Sequence, residues 1–399
     1  MINVENVRLL FEKYKKNIYG LRHQIHMHPE LKWEEKQTSL LVRNTLKKLN
    51  IPFKVIKGIG VLAVVKGTKA GKGKVVLLRA DMDALPIQEK VEIPFKSKVP
   101  GKMHACGHDC HTANLLGVAM ILNQLKSKFC GCVKLLFQPA EEGGFGGKVM
   151  VENKILENPQ VDAAFATHVI TSEKSGKFNV YQKILCGSAD SFKITVQGIG
   201  GHAATPHKTI DAIFVVAQVI NAINSITSRY IDPNVSKLIS ICSVQAGTVT
   251  NIISESAQIV GTVRAVDEIT RKQLMTHVKN VATGICKTYG AKCHIEYELG
   301  YPVCVNDDKL ESLVINTLKQ IVGETDVNIC HGDLSGEDFA YIAKQVPSFY
   351  FDTGTCEKDQ QPTSHHSDTF YVADDAFFPY ACPAMTLVAL NFLMGDNNE

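Results

Sequence analysis

The chain has 399 residues, 45% of them hydrophobic and 21% charged, and its 43 Lys and Arg against 40 Asp and Glu leave a formal charge of +3. So nearly neutral a chain has no electrostatic footprint for a nucleic acid, which needs dense basic patches, and its composition is that of a globular protein with a large buried core. At roughly 100–200 residues per domain the length predicts about two or three domains.

The first twenty residues mix Glu5, Arg8, Glu12, Lys13, Lys15 and Lys16 into the apolar positions, so no secretory h-region is predicted. The most apolar helix-like run, residues 210–226, is interrupted by Asp211, Gln218, Asn221 and Asn224, which are costly at a bilayer centre. A soluble cytoplasmic protein with no membrane partner is expected. The 12 cysteines show no disulfide-like spacing and are expected to be reduced thiols. Cys130, Cys132, Cys242, Cys286 and Cys293 are read as small buried apolar side chains.

Helices are predicted over residues 4–26 and 34–49, apolar strands over 61–65 and 74–78, a helix over 112–125, and further strands over 133–137 and 163–167. That rhythm is α/β with a central sheet flanked by helices. From Gly187 the texture changes. A half-exposed strand over 191–197 precedes a Gly-rich turn, a helix over 209–229, strands over 238–244 and 257–266, a helix over 268–289 and a strand over 292–299. The order β-α-β-β-α-β is that of an α+β ferredoxin-like unit. Residues 187–297 are therefore read as an inserted lid or dimerisation domain, with residues 1–186 and 298–399 forming one discontinuous domain and residues 396–399 a polar tail.

Chemistry concentrates in four places. Lys102-Met103-His104-Ala105-Cys106-Gly107-His108-Asp109-Cys110-His111 packs three histidines, two cysteines and a carboxylate into ten residues, more coordinating side chains than an apolar core can use. The competing reading is a polar helix start facing water. Leu135-Leu136-Phe137-Gln138-Pro139-Ala140-Glu141-Glu142 ends an apolar strand in paired carboxylates, one free to bind a metal and the other to take a proton, or else a solvated loop. Ala166-Thr167-His168-Val169 closes another apolar strand, and Ser364-His365-His366-Ser367-Asp368 lies near the carboxyl terminus. A lone strand-end His is usually structural, so these two gain weight only by converging with the first two. No Gly-x-Ser-x-Gly elbow occurs, and the glycines lack the spacing of a dinucleotide or phosphate loop.

Together with Arg79-Ala80-Asp81-Met82-Asp83-Ala84-Leu85-Pro86-Ile87 and Gly200-Gly201-His202-Ala203-Ala204-Thr205-Pro206-His207, these motifs resemble the metal-dependent amidohydrolase branch of the aminoacylase and carboxypeptidase metallopeptidase family, from about residue 20 to 390. Hippurate hydrolases, N-acyl-amino-acid amidohydrolases and indoleacetyl-amino-acid hydrolases belong to that branch. The resemblance implies two divalent ions, Zn or Mn with Co and Ni open, held by Cys106, His108, Glu142, His168 and His366, with Cys106 bridging and Glu141 as general acid/base. It implies that Asp83 supports the metal site from behind. Asp109, beside His108, would either orient that ring or cap the helix. It further implies that His202 reaches a substrate carbonyl, in dimers often across the subunit interface, and that Asn251 and Arg264 hold a substrate carboxylate. A surface ion pair is the other account of Arg264.

Two positions depart from the family pattern. His365 stands where an apolar residue is common, so register alone selects His366, and Cys110 stands where Gly is frequent. The expected activity is hydrolysis of the amide of N-acyl amino acids by a homodimer or homotetramer built through the inserted domain. The alternatives are a carboxypeptidase or dipeptidase, an N-acetyl-diaminopimelate-type deacetylase of the same fold, or a catalytically silent metal-binding protein, against which Glu141 argues.

Overall fold

The computed structural model describes residues 2–395, so the polar tail expected at 396–399 lies outside the described residues. In chain order the elements are α1 (Val4–Met27), α2 (Lys36–Lys48), β1 (Phe53–Ile56), β2 (Gly60–Lys66), β3 (Val75–Asp81), α3 (His108–Leu125), β4 (Cys132–Gln138), α4 (Gly146–Glu152), β5 (Ala163–Lys174) and β6 (Phe178–Tyr181). There follow β7 (Ile184–Cys186), β8 (Ser188–Gln197), β9 (Gly201–His202), α5 (Ala212–Arg229), β10 (Lys237–Ala246), β11 (Ile252–Ile253), β12 (Ser256–Ala265), α6 (Glu268–Thr288) and β13 (Lys292–Tyr301). The last are β14 (Cys304–Val305), α7 (Asp308–Val322), β15 (Val327–Cys330), α8 (Ala340–Ala343), β16 (Ser348–Cys356) and α9 (Asp374–Met394).

Two compact units divide the chain. The first comprises Met1–Lys183, Val305–His331 and Asp338–Glu399, the second Ile184–Cys304 and Gly332–Glu337. The first is built on an eight-stranded sheet in the order β1-β2-β4-β3-β5-β16-β6-β15. Its centre is parallel, β3 pairing with both β4 and β5, and β5 with β16. Every residue of β3 and β4 is buried, as expected for strands covered on both faces. Helix α1 starts at a reciprocal cap between Asn3 and Asn6 and buries Val7, Phe11, Ile18, Arg22 and Ile25, one stripe at helical spacing.

Helix α9 corrects the expectation about the most apolar helix. Among the described residues Asp374–Met394, not residues 210–226, is the helix with the length and composition of a membrane span, but 72% of its apolar window is buried inside the fold. It is a core helix, packed on α1, α3, α7 and β16. A second correction concerns β5, which was expected to stop at Thr167 and runs on to Lys174 because β16 continues to pair with it beyond the point where β3 lets go.

The second unit carries an antiparallel sheet in the order β10-β12-β8-β13, with α5 following β8 and α6 following β12. This is the ferredoxin-like arrangement. Its core joins Phe192, Ile194 and Val196 of the sheet to Val215, Val219 and Ile223 of α5 and Leu274 and Val278 of α6. All 12 cysteines are free. Cys130, Cys132 and Cys286 are buried as expected, whereas Cys293 is only half-buried and Cys242 is exposed, because β10 is an edge strand with little packed over it.

Candidate metal centre

The cluster at residues 102–111 leads into the first turn of α3. Gly107, the residue before the helix, has φ +88, and a Cβ there would lie 2.3 Å from Val169 Cγ2. Only glycine lets the chain turn from Cys106 into His108 against strand β5.

His108 is buried, and its Nδ1 donates to the Asp83 carbonyl at 2.8 Å, which leaves Nε2 as the acceptor nitrogen; that atom is buried and has no hydrogen-bond partner among the described residues. His168 repeats the pattern. Its Nδ1 donates to the Val169 carbonyl at 2.6 Å, and Nε2 lies 3.5 Å from Cys106 Sγ. Two imidazoles held by backbone carbonyls with their Nε2 lone pairs turned inward are in the state that metal ligation requires. On the other side of Cys106, His366 Nε2 is 3.0 Å from Glu142 Oε1. The His366 backbone is left-handed, φ +59, and its amide donates to the Ala105 carbonyl at 2.8 Å, which pins the His365-His366 turn against the cysteine.

Ligand atoms within 4.8 Å of one another form several groups among the described residues, including Asp81–His108–His111 and His108–Glu141–Glu142 as well as Cys106–His108–His168 and Cys106–Glu142–His366. The last two share Cys106. A sulfur common to two sets of soft and borderline donors fits a centre for two divalent ions, and the orphaned Nε2 of His108 is the buried polar atom such an ion would satisfy. Burial pushes the Cys106 thiol up to about 12, so a cation is what would make it a thiolate. Burial lowers His108, but the Asp81 carboxylate and Cys106 outweigh it and raise this imidazole well above its usual value, an attraction for positive charge that serves a metal equally. His168 is held well below its usual value by burial and by the neighbouring His111 and His365. His365 approaches Cys106 Sγ with Nδ1 at 3.9 Å and is pushed down to about 4, chiefly by burial.

The carboxylates that hold this arrangement come from β3 and the segment after it. Asp83 accepts the amides of Glu141 and Glu142, each at 2.9 Å, so one side chain fixes both members of the acidic pair just past the end of β4. Glu141 is 7% exposed, and its Oε1 accepts the Asp338 amide at 3.4 Å.

Asp109 is placed differently from expectation. It neither orients His108 nor caps α3. Its carboxylate accepts Arg22 Nε at 3.0 Å and His26 Nδ1 at 2.9 Å, because position 109 of the helix faces α1.

His111 is the residue the sequence reasoning passed over. Its Nδ1 donates to Asp81 at 2.6 Å and its Nε2 accepts the Val169 amide at 3.0 Å. Both nitrogens are spent, so His111 is a brace between β3 and β5 rather than a ligand. Asp81 is in turn gripped by Arg79 at 2.5 Å, and Arg79 also reaches Asp338 at 2.8 Å. In the sequence it stands out only as one of the three histidines of the 102–111 cluster, one helical turn after His108, with nothing local to mark it as a brace.

In the second unit, β9 pairs with β11 so that His202 lies opposite Ile252, and the Asn251 carbonyl accepts the Ala203 amide at 3.1 Å. His202 is exposed, with Nδ1 accepting the Ala204 amide at 3.0 Å. Arg264 lies on β12 opposite Leu238 and Ala189. Among the described residues it has no carboxylate partner, so the surface ion pair weighed as its other account is not formed.

A cluster of Cys, His and Glu just past the carboxyl ends of parallel strands, with His108 buried at its base and carboxylates bracing it from behind, is a candidate dinuclear metal centre of the kind metallohydrolases use. Residues 77–382 match the model of peptidase family M20/M25/M40, and the chain belongs to that family. It is 41% identical over 383 residues to thermostable carboxypeptidase 2 of Saccharolobus solfataricus, covering 94% of this chain and 95% of that protein. It is 36% identical over 342 residues to the N-acetylcysteine deacetylase of Bacillus subtilis, covering 85% and 88%. The crystal structure of Bacillus subtilis YXEP, described as a dinuclear metal-binding peptidase of the M20 family, superposes with a TM-score of 0.81 at 32% identity, covering 96% of this chain and 99% of that one. The protein is a metal-dependent hydrolase acting on amide or peptide-like bonds.

Proposed function

We propose that the protein hydrolyses an amide bond adjacent to a free carboxylate, with Cys106, His108, Glu142, His168 and His366 holding two divalent ions and Glu141 carrying the proton. The observation that carries this reading is the sharing of Cys106 between two three-residue ligand groups, with Glu141 buried beside Glu142 and not needed in either group. Bound there, divalent ions supply Lewis acidity and lower the pKa of a water. Glu141 takes the proton of the attacking water and returns it to the leaving nitrogen. Asp83 keeps that carboxylate and its neighbour Glu142 facing different ways by fixing both amides. His202 donates to the carbonyl oxygen as negative charge develops on it. Arg264, lacking a carboxylate of its own, and Asn251 take the substrate's carboxylate. Cys106 with imidazoles suits Zn, and the Glu142 carboxylate keeps Mn, Co and Ni in range.

Of the two substrate classes, the peptide reading is favoured by the 41% identity to a carboxypeptidase over nearly the whole chain. The N-acyl reading, our expectation from the sequence, is supported by the likeness to an N-acetylcysteine deacetylase at 36%. The chemistry at the metals is common to both, and only the pocket's acceptance of the acyl side separates them. Self-association through the second unit belongs to the same reading, since β10 and β13 each leave one edge of the sheet unpaired. The test is turnover of N-benzoylglycyl-phenylalanine and other blocked dipeptides beside N-acetyl and N-benzoyl amino acids, using enzyme loaded with Zn or Mn. Cleavage of the peptides at higher kcat/KM assigns the carboxypeptidase class, a preference for N-acyl amino acids the amidohydrolase class, and inactivity on both contradicts the proposal.

A further inference from the structure

Glu35 is a buried carboxyl that the chemistry above does not use. It immediately precedes α2, yet its side chain makes no cap there. That task falls to Glu30, whose carboxylate accepts the amides of Gln37 at 2.9 Å and Thr38 at 2.9 Å. Glu35 turns away instead, is 0% exposed, and with Oε1 accepts the amide of Ala140 at 2.7 Å, while Oε2 has no hydrogen-bond partner among the described residues. A buried acid set against a distant loop, with its own helix capped by another residue, is placed for that loop.

Ala140 is the residue before the acidic pair, and its backbone is left-handed, φ +58, a conformation that a side chain with a Cβ disfavours. Three successive amides are therefore held by two carboxyl groups: Ala140 by Glu35, and Glu141 and Glu142 by Asp83. The same segment that carries Glu35 grips the far side of the turn, where Trp33 Nε1 donates to the Gly144 carbonyl at 2.9 Å. Burial and the nearby Asp83 push the Glu35 carboxyl up to about 8, so near neutrality it acts mainly as a neutral acceptor.

We propose that Glu35 is a positioning residue for the proton-carrying Glu141, acting through the Ala140 amide to fix the turn from which that side chain projects. The proposal rests on the reading of Glu141 given above. It assigns Glu35 neither to a metal nor to the substrate.

The experiment compares Glu35→Ala, Glu35→Asp and Glu35→Gln with the unmodified enzyme, all loaded with Mn, on N-acetylmethionine and N-benzoylglycyl-phenylalanine, with bound metal measured in each. Loss of the Ala140 contact lets the turn drift, and a displacement of about 1 Å costs kcat about 100-fold. Glu35→Ala is expected to show that loss at an unchanged KM and full metal content. Glu35→Gln keeps an acceptor oxygen on a side chain of the same length and is expected to restore kcat. Glu35→Asp folds with its carboxyl short of Ala140 and is expected to fall between them, so the test survives an unstable Ala variant. Unchanged kcat in the Asp or Ala variant, a loss of metal in step with activity, or a Gln variant as slow as Ala would each overturn the proposal. Glu141→Gln is the separate control: if it stays active, the reading of Glu141 has failed whatever the Glu35 series shows.

Discussion

The Asp83 main chain accepts the Nδ1–H of His108 at 2.8 Å, and the same residue's carboxylate holds the amide of Glu142 at 2.9 Å. One residue after β3 thus sets the tautomer of one proposed ligand and the position of another. Asp83→Asn leaves the carbonyl but turns an amide N–H toward an N–H donor. Metal affinity is expected to fall about 10–100-fold, as for other supports behind a metal ligand, and a chelator competition reads the change. An unaltered affinity would mean that the Glu141-Glu142 turn holds itself.

His111 is expected to behave as a brace. His111→Phe leaves the buried Val169 amide without its acceptor, at about 1–3 kcal/mol, and takes the donor from Asp81 Oδ1 while Arg79 still holds Oδ2. Melting temperature should drop, and the ion on the His168 side should be lost first. If His111→Phe binds metal and melts as the parent does, the bracing account of β3 and β5 is wrong.

Gly107→Ala places a methyl 2.3 Å from Val169 Cγ2 at a φ of +88. Destabilisation by more than about 1 kcal/mol is expected from the backbone alone, with further loss from the displaced strand. Equilibrium unfolding in urea measures it. A neutral result would show that the turn from Cys106 into α3 has room that the packing denies.

A pH signature follows from His26. Burial pulls its imidazolium down, but Asp109 and the hydrogen bonds to Asp109 and Glu89 outweigh that and raise it to about 9. A group whose folded pKa lies above its unfolded value of about 6.5 contributes stability that is fully present below the unfolded value and lost as pH rises through the folded one. Unfolding free energy is therefore expected to decline between about pH 6.5 and 9, and His26→Gln should flatten that slope. Glu35, raised from 4.5 to about 8, contributes a decline of the same sign over a lower window, so the difference between parent and His26→Gln isolates the histidine. Parallel pH curves for the two would contradict the assignment.

The order of strands and helices was legible because β3 and β4 are apolar throughout and the amphipathic helices keep their spacing. The candidate ligand cluster drew notice because so many donors fall within ten residues. What was not legible depended on which way a side chain turns. Asp109 and His108 are neighbours in sequence, yet one faces α1 and the other the Asp83 carbonyl. β5 outran its apolar run because pairing with β16, remote in sequence, extends it. Glu35 stood inside a predicted helix and His111 counted only as one donor of the 102–111 cluster, because the partners that define them lie 105 and 58 positions away. The membership of Gly332–Glu337 in the second unit likewise has no local mark.

The central claim is that amide hydrolysis here needs two ions at the Cys106 centre. Its most direct test is to strip the protein with a chelator, titrate Mn or Zn back, and follow turnover of N-benzoylglycyl-phenylalanine and N-acetylmethionine against bound metal. The account predicts no turnover in the stripped protein, recovery that saturates near two ions per chain, and no recovery in Glu141→Gln at the same metal content. Turnover by the metal-free protein, or by Glu141→Gln, would contradict it.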